Sequence, residues 1–293
     1  PDTRRAAVTT GAGRPLQIRQ MPVPRPGPGE LLVRLQACGI CHSDVHIRAG
    51  EMRPAGKGDA PILLGHEGIG RVVALGAGVD DALAGATVGV PWLHDTCGHC
   101  APCLGGQESF CQSQRANGFD MPGAYAEYIV ADARFIVALP DGIDAAATAP
   151  LMCAGLTAYG AVKRAGLAPG RACAVFGCGG LGLYAIQIAR RFGATVVAVD
   201  TSEAKLAEAE RCGATRVLKA GDTVGRDIAQ AGGVDACLNF APTTATWPQM
   251  VAAIKPLGRI VAAAMVGEGV AINQEWLAST GVEITGTSVG SRL

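Results

Sequence analysis

The chain of 293 residues carries 25 basic and 25 acidic residues, is 49% hydrophobic and only 17% charged, a balance that excludes a disordered or coiled-coil protein and suits two domains with real cores. Zero net charge gives no electrostatic footprint for nucleic acid and no long-range pull toward an anionic membrane. Eleven cysteines, an odd number, argue against a fully paired disulfide framework, and the opening PDTRRAAVTT has no apolar signal core, so a reducing, cytoplasmic setting is expected.

Along the first half, MPVPRPGPGE is a proline-rich approach, and the alternating runs GELLVRLQACG and GIGRVVALGAGV read as β-strands. All five histidines (His42, His46, His66, His94 and His99) lie in this half. DGIDAAATAPLMCAG begins a helix that leads into a second domain, so the expected division is 1–150 and 151–293. The uncharged runs 145–162 and 172–189 approach the length of a membrane span. They hold Pro150, Gly177, Gly179, Gly180 and Gly182 in place of dense Leu, Ile and Phe, so no membrane segment is expected. From residue 171 the rhythm changes. RACAVFG is a buried strand, LGLYAIQIARRFG a helix, ATVVAVD a strand, and SEAKLAEAERCG a helix with Ser202 as N-cap and Gly213 as stop. ATRVLKA, VDACLNF, GRIVAAAM and VEITGTS recur as strands between helix-length segments, the pattern of a doubly wound parallel sheet.

Three constellations carry chemistry. Cys97-x2-Cys100-x2-Cys103-x7-Cys111 places four thiolates on one loop, where they can wrap a tetrahedral Zn²⁺; two disulfides at that spacing would be strained. Four protein ligands leave no open position, so such a zinc would stabilise a lobe (about residues 93–113) and do no chemistry. Cys41, His66 and Cys153 are scattered, and each alone reads as an ordinary core or polar residue. Together they form a three-ligand set with one position left open, and Glu67 is placed to orient that site or enter it transiently. Gly177-x-Gly179-Gly180-x-Gly182 follows a strand and opens a helix, the context in which a glycine-rich turn cradles a pyrophosphate. Asp200 ends the next strand, where a carboxylate binds ribose hydroxyls and disfavours a 2′-phosphate, so NAD is expected over NADP.

These motifs in this order resemble the zinc-containing alcohol dehydrogenases of the medium-chain dehydrogenase/reductase superfamily, with the nearest likeness to the bacterial and yeast-like ethanol/propanol branch. CGICHSDVH, GHEGIGRVVALG, VGVPWLHDTCGHCAPCLGG, GAYAEYIVAD, APLMCAGLTAY and VFGCGGLG carry the likeness over essentially the whole chain. The resemblance implies a GroES-like β-rich catalytic domain followed by a Rossmann coenzyme domain, two Zn²⁺ per chain and NAD. It implies Cys41, His66 and Cys153 as catalytic zinc ligands, and Cys97, Cys100, Cys103 and Cys111 as the structural zinc set. Ser43 and His46 then form the proton relay, with Asp44 holding the His ligand, Trp92 lining the substrate pocket and His42 meeting the pyrophosphate. Gly177, Gly179, Gly180, Leu181 and Gly182 form the nucleotide turn, with Lys205 assisting Asp200 at the adenosine ribose. A CxxC redox pairing of Cys38 with Cys41 is open from spacing, and the resemblance makes Cys38 a core neighbour. Zinc would act as a Lewis acid, the alcohol would lose its proton through Ser43 and His46, and the alkoxide would pass hydride to the nicotinamide.

The substrate implied is a small primary alcohol or its aldehyde, the assembly a homodimer or homotetramer, with no nucleic-acid or membrane partner. Alternatives are a secondary- or aryl-alcohol dehydrogenase of the same family, or a catalytically impaired protein that binds NAD and zinc. Departures from the family pattern are Ala86 in place of an aspartate, His94 in place of a tyrosine and Ala264 in place of a glycine. SVGSRL ends just after the sixth strand, where family members continue, so a missing C-terminal segment is expected.

Overall fold

Residues 2–56, 58 and 60–292 are described by a computed structural model. Two compact units emerge: one runs to Cys153 and is rejoined by Ser291 and Arg292, the other is Ala154–Gly290. The division thus falls slightly after 150/151, and the chain's last residues group with the first unit rather than the second.

The first unit opens with an antiparallel ribbon, β1 (Thr3–Val8) and β2 (Gln17–Pro22). Its main sheet comprises β3 (Glu30–Cys38), β4 (Gly68–Leu75), β5 (Thr87–Val90), β8 (Tyr128–Asp132) and β9 (Val137–Ala138), in the order β8-β3-β4-β5-β9. β3 and β4 are the two runs whose alternation reads as strand. Leu31, Val33, Val72, Val88, Val90 and Ile129 close over a shared core, where truncating one leucine or isoleucine to alanine costs about 2–5 kcal/mol. The β3–β4 register slips between Leu35 and Ala37, and an irregularity of this kind bends a strand, here just before the turn into helix α1 (His42–Ala49). Between β5 and β8, β6 (Leu93–Asp95) pairs with β7 (Arg115–Ala116), and this ribbon closes the base of the cysteine-rich loop, which holds one helical turn, α2 (Ala101–Leu104).

The helix expected to begin in DGIDAAATAPLMCAG and lead into the second domain is present with one interruption. α3 (Ala145–Thr148) gives way to a 3₁₀ turn over Ala149–Met152, and α4 (Ala154–Arg164) starts after Cys153, whose backbone (φ −127°, ψ −69°) is not helical. Pro150 has no amide hydrogen for the helical ladder and its ring crowds the carbonyl four residues back, which ends α3. No single helix among the described residues is long and apolar enough to cross a membrane. The pair Ala145–Met152 and Ala154–Arg164 passes on composition but is bent by 47°, and Ala158, Ala161 and Val162 of α4 are buried in the second unit's core.

The second unit is a six-stranded parallel sheet: β10 (Ala172–Phe176), β11 (Thr195–Asp200), β12 (Arg216–Lys219), β13 (Val234–Asn239), β14 (Ile254–Ala262) and β15 (Glu283–Gly286). Its order, β12-β11-β10-β13-β14-β15, reverses direction between β10 and β13, the switch point where doubly wound sheets bind ligands. The intervening helices are α5 (Gly180–Arg191), α6 (Glu203–Arg211), α7 (Val224–Gln230), α8 (Thr246–Ala253) and α9 (Gln274–Thr280). Two apolar cores line the sheet, one around Val175, Ile186 and Leu238, the other around Phe176, Met250 and Ile260. Ser202 caps α6 through its hydroxyl, as the sequence indicates.

Candidate active site and metal centres

Cys41, His66, Glu67 and Cys153 come together in the first unit, their ligand atoms all within 4.8 Å of one another. Cys41 is the N-cap of α1; His66 and Glu67 lie just before β4; Cys153 sits in the break ahead of α4. The Cys41 and Cys153 sulfurs are 3.8 Å apart and not bonded. Two thiolates on a tetrahedral zinc, at Zn–S of about 2.3 Å, stand about 3.8 Å apart, so the spacing fits the metal. His66 is fully buried, and its Nε2 has no hydrogen-bond partner among the described residues, an orphaned imidazole nitrogen among thiols. Such a nitrogen fits a ligand and is costly as anything else.

Asp44 organises this centre. Buried at 3% exposure, it accepts from the Cys41 amide (3.0 Å), the Gly65 amide (3.0 Å) and the Tyr125 hydroxyl (3.1 Å), and its Oδ1 lies 3.4 Å from His66 Nδ1. Burial works to raise its pKa, but His66 and the amide donors outweigh burial and hold the carboxyl below the usual aspartate range. Gly65 is required here: its φ is +96° and a Cβ would meet the Tyr125 amide at 2.7 Å. Charge in the cluster is shared unequally. The Cys153 thiol draws the Cys41 pKa down to about 4, against burial and with help from His66, while Cys153 is pushed well above the usual thiol range by Cys41 and by burial. Burial opposes a charge on His66, yet Asp44 and Cys41 raise its pKa to about 10. Cys38 is a separate thiol, pushed up to about 12 by burial and donating to the Gly39 carbonyl; no Cys38–Cys41 disulfide is formed.

Around this centre, Ser43 and His46 lie three residues apart on α1, on neighbouring positions of one face. Exposed His42, at the first turn, meets His46 edge-on at 4.8 Å. Trp92 stands edge-on to His66 at 4.8 Å and stacks on Phe119 at 5.9 Å. Tyr125 and Phe119 are site neighbours that the sequence reading missed; they come from distant loops, and no spacing signal marks them. His94 is buried and meets Asn117 Oδ1 at 3.0 Å, while the Asn117 amides donate to the Pro91 and Trp92 carbonyls. Asn117 thereby holds the turn carrying Trp92, and His94 is the side chain that meets its Oδ1. Ala86 packs at the edge of the first unit's core, and the Ala264 amide donates to the Asn239 carbonyl.

The second thiol cluster is Cys97, Cys100, Cys103 and Cys111, in which the Cys97–Cys103, Cys100–Cys103 and Cys97–Cys111 sulfurs stand 3.9, 3.4 and 3.6 Å apart and none is in a disulfide. These bracket the tetrahedral thiolate spacing of about 3.8 Å. The amides of His99 and Cys100 lower the Cys97 pKa to about 6, and the Thr96 hydroxyl, 3.4 Å from Cys103, lowers that thiol too. Within this lobe Glu108 is buried, accepting from the Arg292 amide (2.9 Å) and Nε (2.7 Å), while the Arg292 guanidinium lies over the Phe135 ring at 4.4 Å.

In the second unit the glycine-rich turn links β10 to α5. A Cβ on Gly182 would meet the Gly177 carbonyl at 1.9 Å, so helix and strand close only around a glycine. Gly179 and Gly180 face open space, a cradle that side chains would fill, and this fits a pyrophosphate. Leu181 follows in the first turn of α5. Asp200 ends β11, its carboxylate accepting from the Cys178 amide (2.7 Å) and the Ser202 amide (2.9 Å). Lys205 is exposed one turn into α6.

Residues 27–141 match the family model of the alcohol dehydrogenase GroES-like domain, and residues 180–293 that of the zinc-binding dehydrogenases. An alcohol dehydrogenase of Geobacillus stearothermophilus is 38% identical over 98% of this chain and 86% of its own length. The chain belongs to the zinc-type alcohol dehydrogenase family. Its fold is shared with a cobalt- and zinc-bound thermostable alcohol dehydrogenase of Pyrobaculum aerophilum (30% identity, TM-score 0.87, 99% of this chain and 85% of that one). A zinc-binding dehydrogenase of Sinorhizobium meliloti 1021, solved with NADP, is similar at 29% identity and TM-score 0.90, over 100% of this chain and 86% of that one. In this dehydrogenase chain the GroES-like match lies within the first unit and the zinc-binding dehydrogenase match covers the parallel sheet from α5 onward.

Proposed function

We propose that this zinc-type alcohol dehydrogenase interconverts a small primary alcohol and its aldehyde with NAD, using Cys41, His66 and Cys153 as catalytic zinc ligands and Ser43 and His46 as the proton path. The observation that carries the reading is the cluster of half-buried Cys41, buried Cys153 and a buried, otherwise unmet imidazole nitrogen, a three-ligand set with one position open. Zinc held by Cys41, His66 and Cys153 would supply Lewis acidity toward the substrate oxygen, and bound NAD would supply the redox chemistry. Asp44 orients His66 and holds the α1 N-terminus against the Gly65 turn. Ser43 receives the alcohol proton, and His46, one turn along α1 with its side chain 38% exposed, returns it to solvent. Glu67 is the carboxylate that steadies the cluster or enters it transiently.

Trp92 and Phe119 make an aromatic wall beside His66 that narrows the pocket toward small primary substrates. Asp200, with Lys205, takes the adenosine ribose and disfavours a 2′-phosphate by charge; Gly177, Gly179, Gly180, Leu181 and Gly182 receive the pyrophosphate. Cys97, Cys100, Cys103 and Cys111 hold the second zinc and stabilise their lobe. A cytoplasmic homodimer or homotetramer completes the reading, supported by the odd cysteine count and by the edge strand β15, which can pair with a second copy. The test is a panel of primary, secondary and aryl alcohols with NAD and NADP, on protein of measured metal content. About two zincs per chain with turnover of ethanol or propanol on NAD is expected. Zinc and nucleotide binding without turnover would overturn the enzyme reading, and a preference for secondary or aryl alcohols would overturn the substrate.

A further inference from the structure

α1 ends at Gly50, which adopts the left-handed conformation (φ +84°) and turns the chain sharply back. The returning amides of Glu51 (3.0 Å) and Met52 (3.4 Å) both donate to the His46 carbonyl, so the residue after the cap is held over the helix's last turn. That fold-back brings the Glu51 carboxylate onto His46 Nδ1, where the two form an ion-pair contact. His42 covers His46 edge-on, and the positive groups nearby are Arg48, in the same last turn, and Arg53, whose guanidinium lies against Gly50. Both members of the pair reach solvent, the side chains being 38% and 61% exposed.

We propose that Glu51 is a positioning residue for the proton path: it holds the Nδ1–H tautomer of His46, so that Nε2 is the nitrogen that takes the proton. This rests on the relay reading of Ser43 and His46. A neutral imidazole carries its hydrogen on one nitrogen only, and a carboxylate on Nδ1 settles which. The proton arriving from the substrate side bonds to Nε2 while the Nδ1 hydrogen stays on its carboxylate. The imidazolium charge is met by Glu51, and the Nε2 proton then passes to water, returning the histidine to its starting form. Unlike a buried catalytic diad, this pair is open to solvent, so the work asked of Glu51 is orientation more than charge.

The experiment uses the zinc-loaded enzyme with ¹⁵N-labelled histidine, His46 being assigned by its loss in His46→Asn. In the parent, His46 shows the Nδ1–H tautomer. Glu51→Gln moves it toward the mixed or Nε2–H pattern and lowers kcat for alcohol oxidation about tenfold with KM little changed, and Glu51→Asp restores both signals in part. If His46→Asn lowers kcat while Glu51→Gln leaves the tautomer and kcat as they were, Glu51 has no positioning role. If His46→Asn itself leaves kcat untouched, the relay reading falls and the present proposal with it.

Discussion

Replacing Asp44 by asparagine keeps its shape and takes away its charge and one of its two acceptor oxygens. Oδ2 serves the Cys41 amide at 3.0 Å and the Tyr125 hydroxyl at 3.1 Å; Oδ1 serves the Gly65 amide at 3.0 Å and faces His66 Nδ1 at 3.4 Å. If Oδ2 becomes the NH₂ group, the Cys41 amide and the Tyr125 hydroxyl lose their acceptor; if Oδ1 does, the Gly65 amide loses its acceptor and the ion-pair contact with His66 goes. An unmet buried donor costs about 1–3 kcal/mol, and a hydroxyl can turn away where an amide cannot, so the expected loss is about 2–4 kcal/mol for the first unit. Losing the partner that orients a His ligand lowers metal affinity by about 10–100-fold. The assay is zinc content across a graded chelator series, alongside denaturant unfolding. The four-cysteine centre serves as the internal reference, because Asp44 makes no hydrogen bond or ion pair with it among the described residues. One zinc should leave Asp44→Asn at far weaker chelation than in the parent, while the other is retained as before. Equal retention of both metals, with stability unchanged to within about 0.5 kcal/mol, would refute the argument that this carboxylate organises the centre.

Arg292→Ala strips the guanidinium from Glu108, whose side chain is only 2% exposed, and should destabilise the first unit by about 2–4 kcal/mol; adding Glu108→Gln should recover part of that loss in denaturant unfolding, and no recovery would contradict the buried-charge account. Zinc uptake by the metal-free Cys41–His66–Cys153 centre should release about two protons at pH 7. The sign follows from the site: Cys41, near 4, is already a thiolate, whereas His66, near 10, and the raised Cys153 still hold protons. Affinity should therefore rise with pH, and calorimetry in buffers of different ionisation enthalpy counts the protons; release of none would contradict the charge distribution. Asp200→Ser should raise the NADP-to-NAD ratio of kcat/KM by roughly tenfold or more, because a like charge opposite the 2′-phosphate is removed, and an unchanged ratio would remove Asp200 from nucleotide choice.

The second unit was the more legible half. Its central strands β10, β11 and β13 are short apolar runs that are mostly buried, and the strands are separated by segments of helical length, so element type and the doubly wound pattern followed from the string alone. The first unit resisted in particular places. β2 gives no alternation because four successive residues, Gln17 to Gln20, are exposed, and its pairing with β1 is a long-range fact. The four-cysteine cluster was readable because its ligands are local in sequence. The other centre draws Cys41, His66 and Cys153 from three distant segments, so spacing alone could only offer it, and the resemblance supplied the grouping. Tyr125, whose hydroxyl reaches Asp44, is invisible to any local pattern. The helix expected to begin in DGIDAAATAPLMCAG forms but is interrupted after Pro150, and Cys153 sits in that interruption, its sulfur 3.8 Å from that of Cys41.

The return of Ser291 and Arg292 to the first unit makes that unit discontinuous along the chain, with Ala154–Gly290 as an insertion. The inserted sheet is a single stretch and can fold as soon as its own residues have emerged. Its host waits longer. Glu108, buried in the cysteine lobe, has no guanidinium until Arg292 arrives, and at about 5–20 residues per second that interval is on the order of ten seconds of synthesis. Newly made first units therefore pass through a period in which the Glu108 carboxylate beside the lobe lacks the guanidinium that meets it in the folded chain.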